Sequence, residues 1–174
     1  LARRCGRGTV RPMPAISPPI DADAILACIL SLVIGTAIGI EREWRGQSAG
    51  VRTHLLVVLS STLLMLAAGR QVAWHVEGGS GLQLVADPVR MAHGVLTGIG
   101  FLCAGTIFRE RFSVHGLTTA ASLWFSCALG RLAGMGLSAL AIVGLLRGLG
   151  VLAVLRLAVA YLPARFSCDI ELRL

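Results

Sequence analysis

An all-α fold, a polytopic integral membrane protein with five transmembrane helices, is what this sequence predicts. Three observations carry the prediction. The chain is 55% hydrophobic and only 14% charged, with a mean hydropathy of +0.78, whereas soluble domains average about 25% charged. Its apolar residues gather into five runs of membrane-crossing scale. Its acidic residues all stand at the ends of those runs or between them.

The first run covers residues 24–40, AILACILSLVIGTAIGI. Asp21 and Asp23 precede it, where they can cap a helix N-terminus. A run of ~17 residues is near the lower limit for crossing ~30 Å of hydrocarbon. Gly35 and Gly39 fall on one helical face as a small-xxx-small contact surface. The charged turn 41–54 follows. Trp44 is placed for headgroup depth, and Gly46 and Gly50 mark turns. The second run, 55–68, is short and borrows length from Val51 and Arg52 by snorkelling.

Residues 69–86 read as a polar, Gly-rich loop. Asp87-Pro88 then makes a strong helix start, with Asp as cap and Pro as first helical residue. It opens the third run, 88–108, which carries Gly94, Gly98, Gly100 and Gly105. A turn from Arg109 to Gly116 leads into the fourth run, 117–132. Gly134-Met135-Gly136 makes a tight turn. The fifth run, 137–157, contains Gly144 and Gly148 and stops before Pro163.

Residues 1–19 are basic and Pro-rich, and are expected to be disordered. Residues 20–160 form the transmembrane domain, and 161–174 a short cytoplasmic tail. The chain opens on Leu1, and Met13 is the expected start. Five spans place the termini on opposite sides. With residues 41–54 inside, eight arginines lie on that side and, counting from Met13, three on the other. The positive-inside rule then gives a cytoplasmic C-terminus.

The formal net charge of +7 does not indicate nucleic acid. The arginines sit at the ends of apolar runs and are not interleaved with aromatics as a nucleic-acid reader needs. The five cysteines form no CxxC pair, so neither a disulfide framework nor a zinc site is indicated. Each His is isolated, and neither a Ser/His/Asp arrangement nor HExxH spacing occurs. No enzymatic activity, cofactor or metal site is expected.

Three blocks then bear on family. GIEREWRGQSAGVRTHLLVVLSS at 39–61, DPVRMAHGVLTGIGFLCAGTIFRE at 87–110 and GLTTAASLWFSCALGRLAG at 116–134 resemble the MgtC/SapB family of bacterial inner-membrane proteins, in family order and spacing, over residues 24–160. The resemblance implies a five-span domain and a role in adaptation to low magnesium and, in pathogens, virulence. It implies regulation of other inner-membrane proteins, the F-type ATP synthase among them. The alternative it carries is a transporter of magnesium or another divalent cation. Longer family members add a soluble C-terminal domain. The chain departs from the family at Cys103 (usually Gly), Gly94 (often Gln), His93 (usually Ala), and at Arg131 and Arg147 (usually apolar).

Several groups are candidates for function, each with a plainer role beside it. Glu41, Glu43, Arg45 and Arg52 form either a cytoplasmic platform for a partner or cation, or a charged loop that fixes topology. Asp87 with Arg90 either caps the third helix or binds a divalent cation outside. Hard cations want several oxygen ligands, and Asp87 has only Glu77 as an acidic companion in its loop. Arg109 opens the second basic turn, on the side of Glu41. Gly35, Gly39, Gly94, Gly98, Gly100, Gly105, Gly144 and Gly148 are assigned to helix packing, and their faces make a homodimer plausible; the other reading of the third-run glycines is an unwound cation path. Arg147 lies mid-span, where a charge costs about 2.5–3.5 kcal/mol on insertion scales unless paired or solvated. No acid lies at mid-depth in any run. A pore would therefore rely on hydroxyls such as Thr97, Thr106, Thr118, Thr119 and Ser122. The expected partners are the lipid bilayer and other membrane proteins.

Overall fold

Four of the five helices extend beyond the apolar runs they contain. A computed structural model describes residues 21–71, 88–110 and 113–161. Helix α1 is Ala22–Trp44, α2 Val51–Gln71, α3 Pro88–Thr106, α4 Leu117–Gly134 and α5 Ser138–Tyr161. The two runs that looked short belong to helices of 23 and 21 residues. Their extra turns are the polar residues of the 41–54 segment. Glu41, Arg42 and Glu43 lie in the last turn of α1, and Val51–His54 in the first turn of α2. The expected charged turn 41–54 is therefore only residues 45–50.

The segment after α3, expected as a turn, forms an antiparallel ladder. Strands β1 (Phe108–Glu110) and β2 (Ser113–His115) pair Phe108 with His115 and Arg109 with Val114. Stacked Phe108 and His115 rings, 5.6 Å between centroids, close its base. Segment 1–19, the expected tail 161–174 except Tyr161, and the expected loop 69–86 from residue 72 onward, with Asp87, lie outside the described residues; Gly69–Gln71 of that loop instead end α2, and Tyr161 ends α5.

Two helix ends are set by glycine. After α1, Gly46 takes the left-handed conformation (φ +64°). Its N–H bonds the Glu43 carbonyl at 3.0 Å, and Gln47 N–H bonds the Arg42 carbonyl at 3.1 Å. After α4, Gly136 (φ +78°) repeats this with Ala133 at 3.1 Å, and Leu137 with Leu132 at 3.0 Å. Both are Schellman ends, in which a residue with no Cβ penalty reverses the chain and satisfies the last carbonyls.

The interior mixes small and branched apolar side chains with polar ones, and the exterior is apolar. Ser31, Arg42, His54, Ser61, Thr62, Thr119, Ser122 and Ser126 are buried. Leu26, Ile29, Leu56, Phe101, Leu140 and Leu146 are among many large apolar side chains left exposed. Water would not tolerate so large an apolar surface on a soluble monomer. Lipid does, because its tails are as apolar as Leu. Helices Ala22–Trp44 and Val51–Arg70 are long and apolar enough to cross a membrane, and α5 holds a further apolar stretch, Ser138–Val154.

Helix contacts run through small residues. A Cβ on Gly35 would lie 2.8 Å from the Leu55 Cα, and one on Gly39 2.5 Å from the Val51 Cα, so α1 and α2 touch backbone to backbone. Gly130 sits in the same way against Val58 and Ser61, and Gly134 against Thr62 and Met65, joining α4 to α2 further along the same stripe. Gly144 meets Leu129, and Gly148 the Phe125 ring, where α5 packs on α4. The four α3 glycines differ from expectation. Gly94, Gly98, Gly100 and Gly105 have nothing within 4 Å of a built Cβ. They pack against none of the described helices, because α3 rests on α4 through its other face, with Ile99 and Cys103 against Ala120, Leu123 and Cys127.

Overpacking a tight contact costs about 1–3 kcal/mol, occasionally more. Gly130→Leu and Gly134→Leu are therefore expected to lower the unfolding midpoint in detergent, followed by circular dichroism. Gly98→Leu, facing open space, should leave it nearly unchanged.

Candidate functional site

The end of the bundle at the α1–α2 turn is where the charged residues of the sequence gather, and most of them are engaged there. Glu41 is the hub. Its Oε2 accepts from Arg42 Nε at 2.6 Å, and its Oε1 lies 2.6 Å from Arg45 Nη2. The second is a charge contact without hydrogen-bond alignment, since Oε1 has no such partner among the described residues. Arg42 is the most enclosed member, its side chain 3% exposed against 16% for Glu41 and 24% for Arg45. It ends the buried stripe of α1, after Ser31, Ile34, Gly35, Ile38 and Gly39. Arg45 also donates from Nη1 to the Leu152 carbonyl at 3.1 Å, tying this turn to α5.

Glu43 works at a helix start. Its Oε2 accepts from the Val51 backbone N–H at 3.0 Å, so a carboxylate meets the positive end of the α2 dipole. Gly50 makes room for it, because a Cβ there would come within 2.8 Å of that oxygen. Arg52 is exposed. With Ile40, Glu43, Trp44, Gln47 and Ser48 it lines an open groove of about 790 Å³. Trp44 is 91% exposed at its edge.

Beneath the turn lies a buried polar chain that sequence reasoning missed. His54 is fully buried. Its Nδ1 is 2.9 Å from the Gly50 carbonyl and its Nε2 3.2 Å from Ser122 Oγ. A carbonyl only accepts, so Nδ1 carries a proton. Ser122 Oγ is also 2.9 Å from the Thr119 carbonyl. With neutral His54, the single hydroxyl proton of Ser122 serves either Nε2 or Thr119. With imidazolium, Nε2 donates to Ser122 and Ser122 keeps Thr119. Thr119 Oγ1 in turn lies 3.4 Å from both Gln47 Oε1 and Ser48 Oγ, linking the groove to the interior. Ser126 and Thr62 continue the α2–α4 seam, donating to the carbonyls of Ser122 and Gly130, both at 2.8 Å. The signal was in the sequence: His54, Val58, Ser61, Thr62 and Met65 follow helical spacing, which puts His54 on a packing face.

The other candidates are dispersed. Arg90 is exposed in the first turn of α3, and Asp87 lies outside the described residues. Arg109 is exposed on β1. The five hydroxyls considered for a pore share no surface: Thr119 and Ser122 are buried, Thr97 and Thr118 exposed, and Thr106 donates to its own helix at Cys103. Among the described residues, no three His, Cys, Asp or Glu come together as a metal-holding group. Arg131 Nε, near the end of α4, is buried without a hydrogen-bond partner among them.

Helices apolar outside, joined through glycine and hydroxyl contacts, with carboxylates among the described residues only near helix ends and in the hairpin, define a membrane-helix protein. The chain belongs to the MgtC family, whose model matches residues 28–160. It is similar to the MgtC protein of Brucella abortus, 40% identical over 131 residues, covering 75% of this chain and 50% of that one. It is also similar to the MgtC protein of Salmonella typhimurium, 39% identical over 113 residues, 64% of this chain and 43% of that one. YhiD of Escherichia coli K12, provisionally a magnesium transporter by its name, is 39% identical over 136 residues, 78% of this chain and 61% of that one. The chain thus matches about half the length of these relatives. No solved structure matches it.

Removing one partner of a buried ion pair costs about 3–5 kcal/mol, and losing a helix cap about 1 kcal/mol. Glu41→Gln, which leaves Arg42 buried without its carboxylate, is therefore expected to destabilise the protein well beyond Glu43→Gln. Unfolding in a denaturing detergent series compares the two directly.

Proposed function

We propose that this chain is a five-span bacterial inner-membrane protein that acts by associating with other membrane proteins during magnesium limitation or related stress. One observation carries this reading. The charges of the 41–54 segment are largely engaged with the fold, whereas the groove beside them presents Trp44, Gln47, Ser48 and Arg52 outward. An aromatic and a cation around a concave surface, at the end of an apolar bundle, suit contact with a partner at the membrane interface. The names of the MgtC relatives agree with a place in this family's physiology. In this reading the α1–α2 turn and the 108–115 hairpin are cytoplasmic, together with the C-terminus, and the partners include the F-type ATP synthase. Virulence in a pathogenic host would follow from the same role.

The second reading is transport of magnesium or another divalent cation. The name of YhiD favours it, as does the seam of hydroxyls between α2 and α4. Against it, Ser61, Thr62, Ser122 and Ser126 donate to backbone carbonyls, and Gly130 and Gly134 bring the two helices into contact. The seam as it stands leaves no passage for an ion that gives up its water reluctantly.

Purified protein in liposomes is expected to move no magnesium, read with an encapsulated magnesium dye. Saturable flux that is lost on Ser122→Leu would establish the transport reading instead. For topology, a phosphatase or fluorescent reporter fused after Leu174 is expected to report a cytoplasmic C-terminus; a periplasmic signal would overturn the orientation.

A further inference from the structure

Arg147 is exposed on the side of α5 that faces away from the bundle. The inward face of that helix is occupied by Ala141 and Leu145, buried against Ile34, Ile38 and Leu129. Around Arg147 lie exposed Val143, Leu146, Val151 and Val154, and Gly150 with nothing within 4 Å of a built Cβ. Arg147 has no ion pair or hydrogen bond among the described residues. A permanent charge is thus set in an otherwise apolar, uncovered face.

Depth decides what can neutralise it. Arg147 stands nine residues after Ser138, the start of α5, about 14 Å along the helix at 1.5 Å per residue. That is well beyond the reach of one arginine side chain. The other end of the span is marked by Leu152, five residues or about 7.5 Å beyond Arg147, whose carbonyl binds Arg45 of the α1–α2 turn. A helical Cα–Cβ bond tilts toward the N-terminus, so Arg147 leans away from that interface and into the bilayer. A charge in this setting points to a pairing partner. A second copy does not supply one. The nine acidic residues of the chain are Asp21, Asp23, Glu41, Glu43, Glu77, Asp87, Glu110, Asp169 and Glu171, none of them at mid-depth in a span.

We propose that the α5 face centred on Arg147 docks a transmembrane helix of a different protein that carries an Asp or Glu at the depth of Arg147. The guanidinium and carboxylate would form a paired, lipid-shielded contact, and the open Gly150 would let the partner helix approach closely. This rests on the reading above, that α5 spans the membrane and that the protein works by association.

The test uses the full chain, fluorescently labelled, in phosphatidylcholine vesicles with synthetic transmembrane peptides of a Leu/Ala host. The peptides differ only at the central residue: Asp, Asn or Leu. Energy transfer is expected to show the Asp peptide binding at least tenfold more tightly than the other two. Arg147→Leu, at a position exposed among the described residues, should abolish that preference, and Arg147→Glu should shift it to an Arg-centred peptide. Equal binding of all three peptides, or a preference that survives Arg147→Leu, overturns the proposal. So does a preference abolished by adding phosphatidylglycerol, which would assign Arg147 to lipid phosphate, or Arg147-dependent self-association, which would assign the face to a second copy. Photo-crosslinking from Gln47 in native membranes separates the broader reading. If no Asp preference exists but crosslinks to another membrane protein form at Gln47, association stands and the α5 site alone falls.

Discussion

Helix α2 is held by backbone contact with two helices, and the rest of the bundle is arranged around that fact. Gly35 and Gly39 of α1 lie against the Cα atoms of Leu55 and Val51. Gly130 and Gly134 of α4 lie against Val58 and Thr62. Between hydrocarbon tails, burying apolar surface gives helices little reason to meet, so attraction comes from close van der Waals fit and interhelical hydrogen bonds. Both require small side chains at the contacts. This explains the polar groups in the interior. Hydroxyls and an imidazole are buried where helices touch, beside a core of Ile34, Ile38, Val58 and Leu129, and many other large apolar side chains are turned outward. Thr62, donating to the Gly130 carbonyl across the α2–α4 seam, is the direct example.

The charged residues near the α1–α2 turn serve the same geometry. Glu41 holds Arg42 and Arg45, Arg45 reaches α5, and Glu43 caps α2 through the gap left by Gly50. A motif that reads as a functional platform is therefore first a joint connecting α1, α2 and α5. The groove beside it keeps Trp44, Gln47, Ser48 and Arg52 at the surface. Through Thr119, Ser122 and His54, the floor of that groove connects to the polar seam. A change at the groove thus has a physical route to the α2–α4 contact, by way of side chains whose hydrogen bonds have alternative arrangements.

The five helices, their order and the family were legible in the sequence, because apolar runs, Pro88 and the Gly134–Gly136 turn are local signals. Gly35 and Gly39 were legible as a contact surface for a similar reason: four-residue spacing fixes a shared face. Helix ends were not. Glu41–Trp44 and Val51–His54 interrupt the apolar runs, yet Glu41 pairs with Arg42 and Arg45 beside it, Glu43 caps α2 and Arg45 reaches α5, so these turns continue the helices. The α3 glycines show the opposite failure. Gly94, Gly98, Gly100 and Gly105 have the composition of a contact face, but composition cannot say which face a neighbour uses. His54 escaped notice because its surroundings come from residues 68 positions away. The sequence by itself thus determined which segments are helices and that their exterior is apolar, since both follow from residue type and spacing along one chain. Only the tertiary structure decided which glycines meet a neighbour, which charges are engaged, and that Arg147 is left facing outward, since each of those depends on distances between residues far apart in sequence.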